Sequence, residues 1–193
     1  MTDLLVPAPD PQPGDLWLTR SEGVIGALIR FGERVKYHGW LRAFGRAWQT
    51  MWHRAIPEDP TDPCWANHVA VYVDDGHLIE ALARGLTLSP ASKYAPGTFR
   101  VLHLVASDDE RAALVHFARV ELAKHARYGW LGILSIVVQL LTPTRLDLSW
   151  DGTMICSAFG ARCWEHAGQS IPTLSPFTTM PADLAFYAGA LPA

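Results

Sequence analysis

The clearest pattern in the chain is an alternation of apolar and polar positions over residues 68–73 and again over residues 77–82. Alternation with a period of two is typical of strands that bury one face. Asp75 and Gly76 lie between the two runs, and Asp-Gly is a favoured pair at the turn of a β-hairpin. The pattern therefore predicts an antiparallel hairpin, and residues 16–20, 85–88 and 99–104 are expected to be further strands of the same sheet.

Helical spacing of apolar residues dominates the rest of the N-terminal half, over residues 23–32 and 39–54. The second of these helices has Leu, Phe and Trp on one face and Arg, Gln and His on the other. It has two interpretations. Its aromatic stripe packs on the core, as in an ordinary surface helix, or the helix is a lid or a membrane-surface element, because Trp and Phe opposite Arg suit a lipid headgroup boundary.

Three further helices are predicted after the sheet. Ser107 and Glu110 form a capping box at the start of a helix that ends near His125. The strongly apolar residues 128–141 predict a buried helix or the wall of an acyl-chain pocket. A third helix begins at Cys156 and ends before Gly168. Residues 178–184 resemble a final capped turn. The expected inner face of the helix after Ser107 is Ala112, Leu114, Val115, Ala118 and Leu122.

Composition narrows the class of protein. The 193 residues suit one domain with a sizeable core, and a net charge of −3 does not suggest nucleic acid as a partner. Three cysteines make a disulfide framework unexpected. Residues 1–13 contain four prolines and no secretory pattern, so we expect an extended arm followed by one domain over residues 14–193. Without a membrane-spanning run, the expected location is cytoplasmic, with possible peripheral membrane contact through residues 39–54.

The candidate chemistry begins at Cys156, because the first turn of a helix stabilises a thiolate over a thiol. A thiolate nucleophile needs a base and a third group that orients the base. His68 opens the predicted hairpin, and Glu80 lies in its second strand. A two-residue turn would place them on opposite faces of the sheet. We therefore predict a three-residue loop with a glycine bulge, which puts both on one face, about two residues out of register.

These segments together resemble the circularly permuted NlpC-type, papain-like cysteine enzymes of the YiiX-like group. The residues that carry the resemblance are Gly14-Asp15-Leu16-Trp17-Leu18, Asn67-His68 with the strand that follows, Glu80-Ala81, and Cys156-Ser157 at the start of a late helix. The resemblance implies an α+β fold with a small antiparallel sheet flanked by helices, in permuted papain-like order. Residues 33–64 would then be an insertion.

By this resemblance, the protein is expected to be a cysteine hydrolase, a peptidase or amidase. It would cleave an amide bond in a peptide, a peptidoglycan fragment or an acylated amine through a thioester. Cys156 would be the nucleophile, with its backbone N–H as one oxyanion donor; His68 would be the base and acid, and Glu80 the orienting residue. No cofactor or metal is expected. The residues expected to contact substrate are Trp17, Asn67, Tyr128 and Ser157.

Three alternatives remain open at this stage. The apolar residues 128–141 favour acyl transfer or ester cleavage on lipids, as in the related lecithin retinol acyltransferase-like enzymes. A non-catalytic module that binds an acyl chain or a peptide would keep the fold without turnover. A structural zinc site is the third alternative, because zinc accepts Cys and His ligands at short spacings. Its four ligands would be Cys64, His68, Cys163 and His166.

Overall fold

The chain folds as an α+β protein, in which a five-stranded antiparallel sheet is flanked by helices. A computed structural model describes residues 10–20, 24–52, 62–125, 127–128, 153–169 and 179–188. The expected arm lies outside the described residues up to position 9, and the apolar stretch lies outside them over residues 129–141. The α+β class with a small antiparallel sheet is as predicted.

The central sheet has the strand order β4-β3-β2-β1-β5. The β2–β3 hairpin continues into β4 at one side of the sheet. On the other side of β2 lies β1, which pairs with both β2 and β5. A parallel pair of two-residue strands, β6 and β7, lies apart from this sheet. The strands are β1 (Leu16–Thr19), β2 (His68–Asp74), β3 (His77–Leu82), β4 (Gly85–Pro90), β5 (Phe99–Leu102), β6 (Arg127–Tyr128) and β7 (Thr153–Met154).

The β2–β3 hairpin has the register that brings His68 and Glu80 to one face. Ala70 lies opposite Glu80, so His68 is two residues away from the direct partner of Glu80 on the same face. The predicted register is therefore confirmed, but the predicted loop is wrong. The turn has two residues, Asp75 and Gly76, both with positive φ, and the register shifts inside β2, between Tyr72 and Asp74.

The described residues form five helices. The third and fourth, α3 and α4, pack on the face formed by alternate residues of β2, and α4 lies so close that a Cβ added to Gly160 would be 3.0 Å from Cγ1 of Val69. Phe159 of α4 is completely buried in this core. The helices are α1 (Val24–His38), α2 (Trp40–Trp52), α3 (Asp108–Ala123), α4 (Cys156–His166) and α5 (Pro181–Tyr187), with short 3-10 helices at Pro63–Trp65 and Ala91–Lys93.

The opposite face of the sheet has a smaller core of aromatic residues. Trp17 is stacked on Phe99 with 4.0 Å between ring centroids, and it also contacts Tyr72 and Tyr94. These rings cover the side of the sheet that α4 does not cover. Because His68 and Glu80 point to this same side by strand alternation, the aromatic cluster lies next to them.

The apolar face of α2 has its largest side chains exposed to solvent. Ala43 of α2 is buried, whereas Leu41, Phe44 and Trp48 are 91%, 57% and 62% exposed. The interpretation that the aromatic stripe packs on the core is therefore wrong. Within the described ranges, no helix has both the length and the apolar character required to cross a bilayer.

Two other helix predictions need correction. The first helix does not end at Gly32 but continues to His38, because Gly32 is buried within it and has no positive φ. The capping box of Ser107 and Glu110 is confirmed, and Leu114 and Ala118 are buried as expected. Ala112 is exposed, so it does not belong to the inner face.

Candidate active site

Cys156 is the first residue of α4, and it is almost completely buried. Ile155 precedes it in an extended conformation, so the chain turns into the helix at the cysteine itself. The first N–H groups of a helix have no partner within the helix, and they favour negative charge. Here the backbone N–H groups of Ser157 and Val69 both donate to the sulfur of Cys156. The cysteine is thus placed where a thiolate is stabilised.

His68 connects this sulfur to Glu80. The side chains of His68 and Cys156 are hydrogen-bonded, and Nε2 of His68 lies 2.9 Å from Oε2 of Glu80. Because Nε2 of His68 is bonded to Glu80, Nδ1 is the ring nitrogen that can bond to the sulfur of Cys156. The carboxylate therefore fixes the tautomer and the orientation of the ring, as the third member of a nucleophile–base–acid arrangement does.

Glu80 is completely buried, and its carboxylate has four charged or polar partners, the side chains of His68, Lys93, Tyr94 and Ser89. Besides His68, Oε1 accepts a hydrogen bond from Nζ of Lys93 at 2.5 Å, and Oε2 accepts one from the hydroxyl of Tyr94 at 2.7 Å. A buried carboxylate is tolerated only when it is paired in this way. Both partners come from the short helix Ala91–Lys93 and the residue after it, so this segment holds the carboxylate in place.

The three groups change one another's protonation. Burial by itself raises the pKa of Cys156, but the charge of His68, its hydrogen bond and the two backbone N–H groups bring this pKa below the usual value. Burial by itself lowers the pKa of His68, but Cys156 and Glu80 raise it to about 9. Burial also opposes ionisation of Glu80, and the bonds from His68, Lys93, Ser89 and Tyr94 nevertheless lower its pKa strongly. These shifts favour the thiolate of Cys156 and the imidazolium of His68 over the neutral forms of the two groups.

The other predicted contact residues have different positions. The Ser157 hydroxyl donates to the carbonyl of Thr179 at 2.6 Å, so its side chain ties α4 to the chain before α5. Trp17 is part of the aromatic core, with 5% of its surface exposed. Asn67 is buried next to His68, and its N–H donates to the Thr19 carbonyl. The backbone of Tyr128 pairs with Met154 in the small parallel sheet, and its side chain lies outside the described residues.

Sequence reasoning missed Lys93 and Tyr94, although both contact Glu80 directly. They follow β4 in a short segment without periodicity, so no pattern of apolar positions could place them. A lysine beside a tyrosine is also an ordinary surface pair in a sequence. Only the fold shows that this pair surrounds a buried carboxylate.

The other two cysteines are buried and differ in surroundings from Cys156. Cys163 is part of the main core, as expected, and burial raises its pKa. Burial also raises the pKa of Cys64, with the nearby Glu33 and Asp62 adding to the effect. All three cysteines are free thiols. Cys156 is therefore the cysteine with the most favourable setting for a nucleophile.

The four residues that sequence spacing suggested as zinc ligands do not come together in one site. Within the part of the chain that the structure describes, a single group of three or more possible metal ligands lies close together, and it consists of His38, Asp62 and Cys64. His68 is instead bound to Glu80, and the ring of His166 stacks on Phe117.

Comparison with known proteins adds no identification. No protein-family model matches this chain, and searches of curated proteins and of solved structures also find no match.

Proposed function

We propose that this protein is a cysteine hydrolase that forms a thioester on Cys156. The observation that carries the proposal is the continuous contact from the Cys156 sulfur to His68 and from His68 to Glu80, at the start of a helix. Three residues that are distant in the sequence meet in the order that nucleophilic catalysis requires. An ordinary structural cysteine has no need of an imidazole that is oriented by a buried carboxylate.

The proposed reaction has two halves. The thiolate attacks the carbonyl carbon of an amide, and the Cys156 N–H helps to stabilise the oxyanion. The His68 imidazolium then donates its Nδ1 proton to the leaving nitrogen as the C–N bond breaks, which leaves a thioester. In the second half, neutral His68 takes a proton from water, the hydroxide attacks the thioester, and the C–S bond breaks. Glu80 keeps the ring oriented and stabilises its charged form throughout.

The proposed architecture is the circularly permuted papain-like one, in which the histidine strand precedes the cysteine helix. The order of β2 before α4 and an antiparallel sheet against the cysteine helix support it. The proposed substrate is an amide in a peptide, a peptidoglycan fragment or an acylated amine, and the mechanism requires no cofactor.

The proposal is tested by alkylation with iodoacetamide at pH 6, followed by mass spectrometry of each cysteine. We expect labelling of Cys156 alone, because a free cysteine with a pKa near 8.5 is only ~0.3% thiolate at this pH. In the His68→Ala variant, labelling of Cys156 should fall. For each unit by which the pKa of Cys156 rises, the thiolate fraction at pH 6 falls about tenfold. A greater intrinsic nucleophilicity of the thiolate partly offsets this loss.

Cys64 and Cys163 serve as internal controls, and His103→Ala serves as a matched variant. His103 also pairs with a buried carboxylate, Asp15, but belongs to another part of the fold. Its loss should leave labelling unchanged. Equal, slow labelling of all three cysteines, or full labelling of Cys156 in His68→Ala, would reject the proposal.

A second candidate, a hydrolase or acyltransferase acting on lipid esters, is favoured by the outer face of α2. That face presents Leu41, Phe44 and Trp48 to solvent, and large exposed apolar patches mark interaction surfaces. Arg42 of α2 is exposed as well, whereas Arg30 and Arg34 of α1 are buried and Lys36 is paired with Asp183. Exposed aromatic and aliphatic side chains together with an exposed arginine suit the surface of an anionic bilayer. We infer that the exposed apolar face of α2 binds the surface of an anionic bilayer.

Vesicle sedimentation tests this inference, with the catalytically silent Cys156→Ala protein. Binding to vesicles of phosphatidylglycerol and phosphatidylcholine should be stronger than to phosphatidylcholine alone, because each nearby basic residue contributes about 1 kcal/mol. Trp48→Ser should weaken binding by about tenfold or more, since burial of a large apolar side chain is worth ~1.5–3 kcal/mol. Leu88→Ser, at a similarly exposed apolar position on β4, is the control. The membrane role is refuted if Trp48→Ser and Leu88→Ser weaken vesicle binding equally. It is also refuted if the protein without either substitution does not bind the vesicles.

A further inference from the structure

The cluster of His38, Asp62 and Cys64 contains three different donor atoms from two separate segments. His38 is the last residue of α1, whereas Asp62 and Cys64 lie at the start of the short helix Pro63–Trp65 that precedes β2. One ring nitrogen of His38, a carboxylate oxygen of Asp62 and the Cys64 sulfur all lie within 4.8 Å of one another. Imidazole, carboxylate and thiolate are the ligand types that zinc accepts.

The spacing within the cluster is that of metal ligands. Nε2 of His38 is 3.3 Å from Oδ1 of Asp62, which is long for a hydrogen bond between nitrogen and oxygen. Two ligands at about 2.0–2.2 Å from a zinc ion at tetrahedral angles lie roughly 3.3–3.6 Å apart. The Cys64 sulfur lies within 4.8 Å of the other two donor atoms and is the third candidate ligand. The distance between His38 and Asp62 therefore suits two ligands of one ion.

The carboxylate is already held in position by the backbone. The N–H of Cys64 donates to Oδ1 of Asp62 at 2.9 Å, and the N–H of Trp65 bonds to the Asp62 carbonyl. Outer hydrogen bonds of this kind orient metal-binding carboxylates. Cys64 is fully buried while the His38 side chain is 36% exposed, so the cluster is closed on the sulfur side and open to water on the other.

We propose that His38, Asp62 and Cys64 bind one divalent transition-metal ion, for which zinc is the best fit, with water in the fourth position. The ion would join the end of α1 to the segment that leads into β2 and His68. Its role would be structural, because neither His68 nor Cys156 belongs to the cluster. The proposed site is therefore independent of the proposed hydrolase activity.

Cobalt(II) substitution tests the site in the Cys156→Ala protein, which removes the competing thiol. One equivalent of cobalt should produce the near-ultraviolet thiolate-to-cobalt band together with the visible bands of tetrahedral cobalt. Cys64→Ser should abolish the thiolate band. His38→Ala, at a half-exposed position where misfolding is not expected, should weaken cobalt binding by about tenfold or more, as the loss of one ligand does.

His103→Ala is the matched control, because His103 also pairs with an aspartate and has the same side-chain exposure of 36%, but has no cysteine in its cluster. It should leave cobalt binding unchanged, and circular dichroism should show that all variants are folded. A thiolate band that is absent at stoichiometric cobalt, or that persists in Cys64→Ser, would overturn the proposal. Equal weakening by His38→Ala and His103→Ala would also overturn it.

Discussion

Replacement of Glu80 by glutamine gives the sharpest test of how the buried network works. Glutamine has nearly the same shape as glutamate, but it has no charge and places an NH2 group where one carboxylate oxygen was. His68, Lys93 and Tyr94 all present donors to Glu80. One of these donors must therefore face the new NH2 group, and the charged partners lose their counter-ion.

The expected loss of stability follows from this arrangement. Removal of one member of a buried, hydrogen-bonded ion pair costs about 3–5 kcal/mol, because the remaining charge is left buried. At about 2–4 °C per kcal/mol for a chain of this size, the melting temperature should fall by roughly 6–20 °C. Since the pKa of Glu80 is lowered in the folded state, its contribution is present above about pH 5 and is lost as the pH falls further. The stability difference between the two proteins should shrink on acidification.

The assay combines denaturant unfolding at several pH values with iodoacetamide labelling of Cys156. Glu80→Gln should lower stability and also slow labelling at pH 6, because His68 loses the carboxylate that favours its charged form. Asp15→Asn is the matched control. Asp15 is also completely buried and accepts bonds from His103, Arg111 and the Leu104 N–H. Its replacement should lower stability while Cys156 labelling stays normal.

The opposite pattern would refute this reasoning. If Glu80→Gln loses less than about 1 kcal/mol and labels at the normal rate, the carboxylate neither pairs with nor orients His68. If Asp15→Asn slows labelling as much as Glu80→Gln does, the effect on Cys156 is one of general destabilisation.

Three further predictions concern the same site. Hydrolysis of an activated ester should have an acidic limb below the usual thiol range and an alkaline limb near pH 9, as His68 loses its proton; a rate that still rises through pH 10 contradicts the ion pair. Tyr94→Phe removes one hydrogen bond to Glu80 and should cost about 1.5–3 kcal/mol with a smaller effect on labelling than Glu80→Gln; unfolding and labelling measure both. Gly160→Leu should lower stability by at least about 1–3 kcal/mol and slow the labelling of Cys156, because the larger side chain pushes α4 away from Val69. Gly160→Ala should have a milder effect. Equal melting temperatures of the two variants would contradict this packing.

Local sequence patterns were sufficient for the hairpin and for the side of the sheet that His68 and Glu80 share. The alternation of β2 and β3, the Asp75–Gly76 turn and the requirement for an even register are all local or pairwise features. The place of the bulge was not predictable, because a shift at Val73 depends on the twist and packing of the whole sheet.

Features that depend on the path of irregular segments could not be predicted. Lys93 and Tyr94 reach Glu80 only because a short helix after β4 turns back over the sheet. The periodicity of α2 predicted an apolar face correctly, but periodicity does not show whether a core lies against that face. Leu41 and Trp48 are exposed, whereas Trp40 and Phe44 of α2 pack edge-on against Phe31 of α1.

The central place of β1 has a consequence for how the protein is made. This strand is synthesised first, yet its two neighbours in the sheet, β2 and β5, are completed only about fifty and eighty residues later. Pairings between such distant segments form slowly. During translation, β1 can pair with β2 once residue 74 has emerged, whereas its pairing with β5 needs residue 102, and the cysteine helix follows later still. A nascent chain that stops before α4 contains all five strands of the sheet but lacks Cys156, so the proposed thiol chemistry would come after the sheet.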